Sequence, residues 1–296
     1  MAHDILLPTW IDRNAYPFAP HTFHHPDGRM HYVDEGAGPV ILFVHGTPEW
    51  SYGFRHLITA FAPTHRCIVP DHLGFGLSDK PHDATYTVAA HAQRLQDLIA
   101  HLGLQDITLV VTDFGGGIGL QHALEQPANV KRLVLYNTWL WDLMPDKRFS
   151  GPTAIMKSWL GRFLYLRLGF SVNVMMPNAY GDKKKLDKAT HAHYQLALPD
   201  AAARAATFAC VQEIKNAGPF WQAQWARVDR LRSIPTLLCW GLKDRFFPPD
   251  LLERWKTALP HATVVPFPEA GHFAHEEAAE VLTTVMRQFL SGNLSN

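Results

Sequence analysis

Cysteine is scarce in this chain. Cys67, Cys210 and Cys239 stand far apart among 296 residues, which excludes a disulfide framework and a cysteine-built zinc site. Neither sign of charge is in excess. The 27 Lys plus Arg balance 27 Asp plus Glu, so the basic surplus of a polyanion-binding chain is absent and no nucleic-acid partner is expected. Nowhere do 18 uncharged apolar residues follow one another; this excludes a membrane span, and no membrane partner is expected. The N-terminus has Asp4 and Pro8 where a signal peptide needs a basic stretch and a long apolar one. A cytoplasmic protein without metal or cofactor is expected. Its oligomeric state leaves no signal.

What is present is a core-forming composition, 47% hydrophobic, in two alternating patterns. Arg29–Asp34, Pro39–Val44, Arg66–Pro70, Ile107–Thr112 and Leu133–Tyr136 read as short buried strands. Ser51–Phe61, Ala89–Leu102 and Gly116–Glu125 carry the spacing of helices between them. Such alternation predicts a mostly parallel sheet covered by helices on both faces. Near residue 138 the strands stop, and 139–230 reads as helices alone. Strand and helix then resume with Thr236–Trp240, Asp250–Leu259, Thr263–Val265 and Ala278–Leu290. The division is therefore a core of residues 1–138 and 231–296 and a helical cap of 139–230, lying over the sheet edge where open α/β sheets place ligands.

Chemistry concentrates where strands end. Thr108-Leu109-Val110-Val111-Thr112-Asp113-Phe114-Gly115-Gly116-Gly117 runs a buried strand into an acid and then into a glycine-rich helix start. This is the pattern of a nucleophile elbow, with Asp113 where a serine usually stands. Alone, Asp113 reads equally well as a helix N-cap. The glycines do not make a dinucleotide loop, because Leu120 occupies the position of its third glycine. Two partners support the catalytic reading. Asp244 follows the strand ending at Trp240, and His272 follows the last strand. The chain order of nucleophile, acid and base is that of the α/β hydrolases. In the turn after Phe43-Val44, His45 reads as a packing residue. The backbone N–H groups of Thr47 and Phe114 are candidates for an oxyanion hole.

Four stretches together resemble the α/β-hydrolase superfamily, in particular its haloalkane dehalogenase and epoxide hydrolase branch. They are His45-Gly46-Thr47-Pro48-Glu49-Trp50-Ser51-Tyr52, Pro70-Asp71-His72-Leu73-Gly74-Phe75-Gly76-Leu77-Ser78-Asp79-Lys80, the aspartate elbow, and Glu269-Ala270-Gly271-His272. The resemblance implies an α/β-hydrolase fold with the cap inserted after the sixth strand. It also implies a haloalkane dehalogenase-like enzyme acting on a small apolar organic substrate. A carboxylate can displace a leaving group from saturated carbon, and water activated by His272 can then hydrolyse the resulting ester. Asn137 follows the sixth strand, where some dehalogenases carry the orienting acid; it bears no charge, which leaves that part to Asp244. Two departures stand out. Dehalogenases of this kind hold halide with a Trp after the nucleophile and with an Asn or a cap Trp; here Phe114 and Thr47 occupy the first and the Asn positions. Trp139 is the candidate replacement for substrate or halide binding. The alternative, an epoxide hydrolase with the same Asp–His–Asp set, needs two cap tyrosines, for which Tyr165, Tyr180 and Tyr194 are available.

Overall fold

The computed structural model describes residues 5–294. One eight-stranded sheet runs in the order β1-β2-β4-β3-β5-β6-β7-β8. Its strands are β1 (His21–His25), β2 (Gly28–Glu35), β3 (Val40–Val44), β4 (Arg66–Pro70), β5 (Ile107–Asp113), β6 (Val130–Thr138), β7 (Thr236–Gly241) and β8 (Thr263–Phe267). β2 is antiparallel to both its neighbours, and all pairings from β4 to β8 are parallel. The hairpin strand β1 escapes the sequence reading. Its His-Thr-Phe-His-His run is mostly polar because it forms one edge of the sheet, and only Phe23 is buried. β8 forms the other edge, where Pro266 removes no needed ladder donor.

The central strands are largely apolar because both faces are covered. Every residue of β5 is buried, as expected for a parallel strand between two helical layers. Period-two alternation sends Leu42, Val44, Leu109 and Val111 into one core cluster and Ile41, Phe43 and Val110 into the other. In the core, the covering helices are α1 (Arg55–Phe61), α2 (Val88–His101) and α3 (Gly115–Glu125). After β6 the chain leaves the sheet and forms α4 (Lys147–Met156), α5 (Trp159–Leu168), α6 (Met176–Ala179), α7 (Lys188–Leu196), α8 (Ala205–Asn216) and α9 (Gly218–Trp225), with no strand until β7. It closes with α10 (Pro249–Ala258), α11 (Ala274–Glu277) and α12 (Ala279–Leu290).

The helices α2 and α5 start where their side chains can cap them. Thr87 and Ser158 accept hydrogen bonds from Ala90 and Gly161, each satisfying a backbone donor that the first turn leaves free. α5 ends at Gly169, which is left-handed with φ 61°, the conformation that favours glycine at a helix end.

Candidate active site

Asp113 is the last residue of β5, with φ 50°. A non-glycine residue there is strained and persists only where its surroundings fix it. The β5–β6 register shifts between Thr112 and Asp113, and the Thr138 hydroxyl donates to the Asp113 carbonyl at 2.6 Å. The chain then turns directly into α3. A Cβ on Gly115 would run into the carbonyl of Val44, and one on Gly46 into the Asp113 side chain. The turn after β3 thus lies against the carboxylate, and the Thr47 N–H donates to Asp113 Oδ1 at 2.9 Å.

The other two predicted side chains meet at the same place. His272 Nδ1 donates to Asp244 Oδ2 at 2.8 Å, and its Nε2 faces Asp113 Oδ2 at 3.4 Å. Asp244 is buried, yet both its oxygens are satisfied. Oδ1 accepts the backbone N–H groups of Phe246 and Phe247, and Oδ2 accepts the Asn137 amide as well as the histidine. A buried carboxylate so paired avoids the cost of an uncompensated charge. Burial pulls the His272 pKa down, but Asp244 and Asp113 outweigh it and hold the imidazole well above its usual range. The two carboxylates that flank the ring therefore favour its charged form. His45, by contrast, is kept neutral by burial. Its Nδ1 donates to the Gly46 carbonyl at 2.7 Å and its Nε2 accepts the His72 N–H at 3.0 Å, so it braces the turn as its packing role required.

Asp113 and His272 face a cavity of about 100 Å³. Its remaining wall is largely apolar, with Phe114, Phe149 and Phe247 from the sheet side and α4, and Met175, Met176 and Val211 from the helical segment. The helices after β6 therefore lie over the strand ends and shut the carboxylate away from bulk water. Among the described residues, no group of three or more His, Cys, Asp or Glu is arranged to hold a metal. What the arrangement can do is present an anionic oxygen to an apolar molecule, with an imidazole in reach.

A family model described as alpha/beta hydrolase fold matches residues 39–279. The chain belongs to that family. It is similar, at 36% identity over 283 residues, to Haloalkane dehalogenase 2 of Mycobacterium tuberculosis, covering 94% of this chain and 97% of that one. It is also 35% identical over 296 residues to the cis-3-alkyl-4-alkyloxetan-2-one decarboxylase of Xanthomonas campestris pv. campestris, covering 94% and 98%. The crystal structure of haloalkane dehalogenase DbeA from Bradyrhizobium elkani superposes with a TM-score of 0.84 at 23% identity, over 93% of this chain and 98% of that one. The chain is thus a haloalkane dehalogenase-like enzyme, and the fold read from its motifs is the fold observed.

The flanking candidates are placed less uniformly. Phe114 lines the cavity, as does Thr47. Trp139 does not. It is fully buried behind Phe114, edge-on to that ring at 4.8 Å and stacked on Phe247 at 4.8 Å. Of the three tyrosines singled out in the helical segment only Tyr165 reaches the cavity, and its hydroxyl donates to Met175 Sδ at 2.9 Å. The Tyr194 hydroxyl is taken by Glu276.

Two residues escape the sequence reading. Asn137, set aside there because it bears no charge, holds Asp244 at 2.8 Å and closes a second bond from the Gly241 N–H, also 2.8 Å. A polar residue ending a buried strand is the signal for it. Glu277 has no such signal. Its Oε1 accepts the Gly271 N–H at 2.7 Å, and its Oε2 accepts those of Gly181 and Asp182 at 2.9 and 3.1 Å. His272 itself donates its backbone N–H to the Ala179 carbonyl at 2.9 Å. The loop carrying the imidazole is thereby tied to segment 179–182.

Proposed function

We propose that this enzyme cleaves carbon–halogen bonds of small or medium haloalkanes through an ester on Asp113. Asp113 attacks the carbon, the halide leaves with the bonding pair, and the carboxylate becomes a neutral alkyl ester. Loss of its charge removes one of the two anions that keep His272 protonated. The imidazole then releases its proton and acts as base toward a water, which adds to the ester carbonyl. The Thr47 and Phe114 N–H groups stabilise the oxyanion of that step. Collapse gives an alcohol and returns the carboxylate, with Asp244 holding the ring in the required tautomer throughout. On this reading 139–230 is the cap domain, and 1–138 with 231–296 the core. The observation that carries it is the 3.4 Å approach of His272 Nε2 to Asp113 Oδ2 inside an apolar cavity.

The test is a His272→Phe variant incubated with 1-bromobutane and with longer bromoalkanes. Intact mass should rise by one alkyl group on Asp113, with halide released once per protein molecule. An unmodified mass, with wild-type halide release on the same substrates, refutes the ester.

A second reading is favoured by the wall of the cavity. Among the described residues no tryptophan or asparagine lines it, so a free halide would meet only the Phe114 ring edge and the hydroxyl-bearing residues Thr47, Tyr165 and Ser171. A strained oxetan-2-one, the substrate in the name of the Xanthomonas relative, has a leaving carboxylate that stays attached. Attack of Asp113 on the ring carbon bearing oxygen would break that C–O bond. Loss of carbon dioxide would then form the alkene and expel the Asp113 carboxylate, consuming no water. Carbon dioxide and alkene, rather than halide and alcohol, are its products. The epoxide alternative asks for two cap tyrosines at one point of the cavity, and of the three available only Tyr165 lines it; its product would be a diol.

A further inference from the structure

The outer side of the cap presents apolar side chains to solvent. Nine large hydrophobic residues are exposed among those described, and six of them fall between 155 and 174. On α5 the arrangement is inverted from that of an ordinary surface helix. Gly161 and Tyr165 face inward, while Trp159, Leu160 and Phe163 are 79%, 43% and 47% exposed. At about 100° per residue, Trp159, Phe163 and Leu160 share one arc, with Arg167 falling within it one turn further along and Arg162 at its edge. Ile155, Leu168 and Val174 extend the patch along the chain.

The charge around it has one sign. No Asp or Glu occurs from residue 147 to 181, while Lys147, Arg148, Lys157, Arg162 and Arg167 do. Of these, Arg148 is neutralised by Asp146 and Asp250 at the far end of α4. The helix α8, which packs on α4 and α5, adds Lys215; its one carboxylate, Glu213, is buried and accepts the Val88 N–H. Arg204 meets the end of α5 through backbone carbonyls of Leu166 and Arg167, not through an acid. Arg162 lies over the Phe208 ring and Lys157 donates to the Asn216 side chain, both neutral partners, so in a chain of zero formal net charge an apolar face bordered by cations held by no acid among the described residues is a local feature.

We propose that this face of the cap, centred on Trp159 and Phe163, docks on the surface of an anionic lipid bilayer. Aromatic and leucine side chains flanked by arginines suit the headgroup boundary, where the rings enter the acyl edge and the cations meet lipid phosphates. A second copy of the chain fits less well, because a two-fold contact would bring two sets of the same cations together with no acid in the face to offset them. Among the described residues no helix is long and apolar enough to cross a membrane. The expectation of no membrane partner rests on spanning segments alone, and lying on a bilayer needs none. The same segment lines the cavity with Tyr165, Ser171 and Met175, so docking sets a cavity for apolar molecules beside the phase in which they dissolve. The proposal assumes nothing about the reaction.

Flotation of the full chain with lipid vesicles tests it. Wild type should float with vesicles one-third phosphatidylglycerol in phosphatidylcholine, at least about tenfold more than with phosphatidylcholine alone, and less at high salt. The pair Trp159→Ser and Phe163→Ser should abolish flotation. The pair Arg162→Gln and Arg167→Gln should weaken it by roughly 20- to 30-fold. All four side chains lie outside the cavity wall, so circular dichroism and turnover of a water-soluble substrate should be unchanged. Absence of flotation, or flotation that neither pair alters, overturns the proposal. So does a dimer in sedimentation that the Trp159→Ser and Phe163→Ser pair dissolves without any lipid binding, which would assign the face to a second copy.

Discussion

Asn137 donates its side-chain amide to the same oxygen of Asp244 that receives the His272 ring, and both bonds measure 2.8 Å. The neutral residue is a brace for the charged one. Replacing Asn137 by Leu leaves Asp244 one donor short and strands the Gly241 N–H. Each buried group left unpaired costs about 1–3 kcal/mol. The variant should melt several degrees lower by calorimetry, with kcat falling and KM nearly unchanged. A wild-type kcat would show that Asn137 does not position the acid.

Asp244→Asn should cost far more, roughly 10³–10⁴-fold in kcat, the scale on which an enzyme loses activity when the acid beside its histidine becomes an amide. The loss belongs to ester hydrolysis. Rapid-quench kinetics should therefore show the first release of leaving group preserved and the ester accumulating. Equal slowing of both steps contradicts this assignment.

The raised pKa of His272 has a sign that can be tested. Desolvation lowers it, and Asp244 and Asp113 raise it beyond that loss. Asp113→Asn removes one of the two anions, as the ester does, so the ring titration followed by NMR should move to lower pH. Stability follows. A base whose pKa is raised on folding stabilises the fold fully below the ordinary imidazole pKa of about 6.5 and loses that contribution as pH rises through the elevated value. The wild-type melting temperature should thus hold to higher pH than that of Asp113→Asn before this contribution fades. Coincident titrations in the two proteins would mean that Asp113 does not set the charge of the ring.

Phe114→Trp places an N–H donor where the cavity has a ring edge. If halide departure is limited by the missing donor, bromide release should quicken, most for the poorest leaving group. The larger ring meets Trp139, already at 4.8 Å, and overpacking should cost about 1–3 kcal/mol of stability. Halide release unchanged in a variant that remains folded favours the oxetan-2-one reading.

Glu277→Gln turns an acceptor of three N–H groups into a side chain whose amide nitrogen must face at least one of them. A loss of about 1–3 kcal/mol in stability is expected, together with a lower kcat, because Gly271 precedes His272. Restoration of kcat by Glu277→Asp, with stability still reduced, would separate the two effects. Equal kcat in all three proteins would reduce Glu277 to a packing role.

Most of the sheet is legible in sequence because its strands are buried on both faces. Ile107–Asp113 and Thr236–Gly241 are buried at every position and centred on the apolar runs Leu109-Val110-Val111 and Leu237-Leu238-Cys239-Trp240. The observed β3, β4 and α2 begin and end within a residue or so of the predicted segments. β1 is not legible, since an edge strand needs only alternate apolar residues and Phe23 is the one it buries. In the site, Asp113, Asp244 and His272 can be found because each follows a strand and their order is informative. Asn137 carries a weaker signal, a polar residue ending a buried strand, and Glu277 carries none: two of its partners, Gly181 and Asp182, lie more than 90 residues away, and no local pattern announces such bonds. Trp139 shows the converse. Its position at the start of the helical segment suggests the cavity, but packing places Phe114 in between.

The imidazole hangs from the lid as much as from the sheet. Gly271 cannot accept even a methyl group without striking Ala179 and Gly181; the His272 N–H crosses directly to the Ala179 carbonyl, and Glu277 joins the Gly271 N–H to that of Gly181. Any displacement of segment 179–182 would therefore be felt at the ring that faces Asp113.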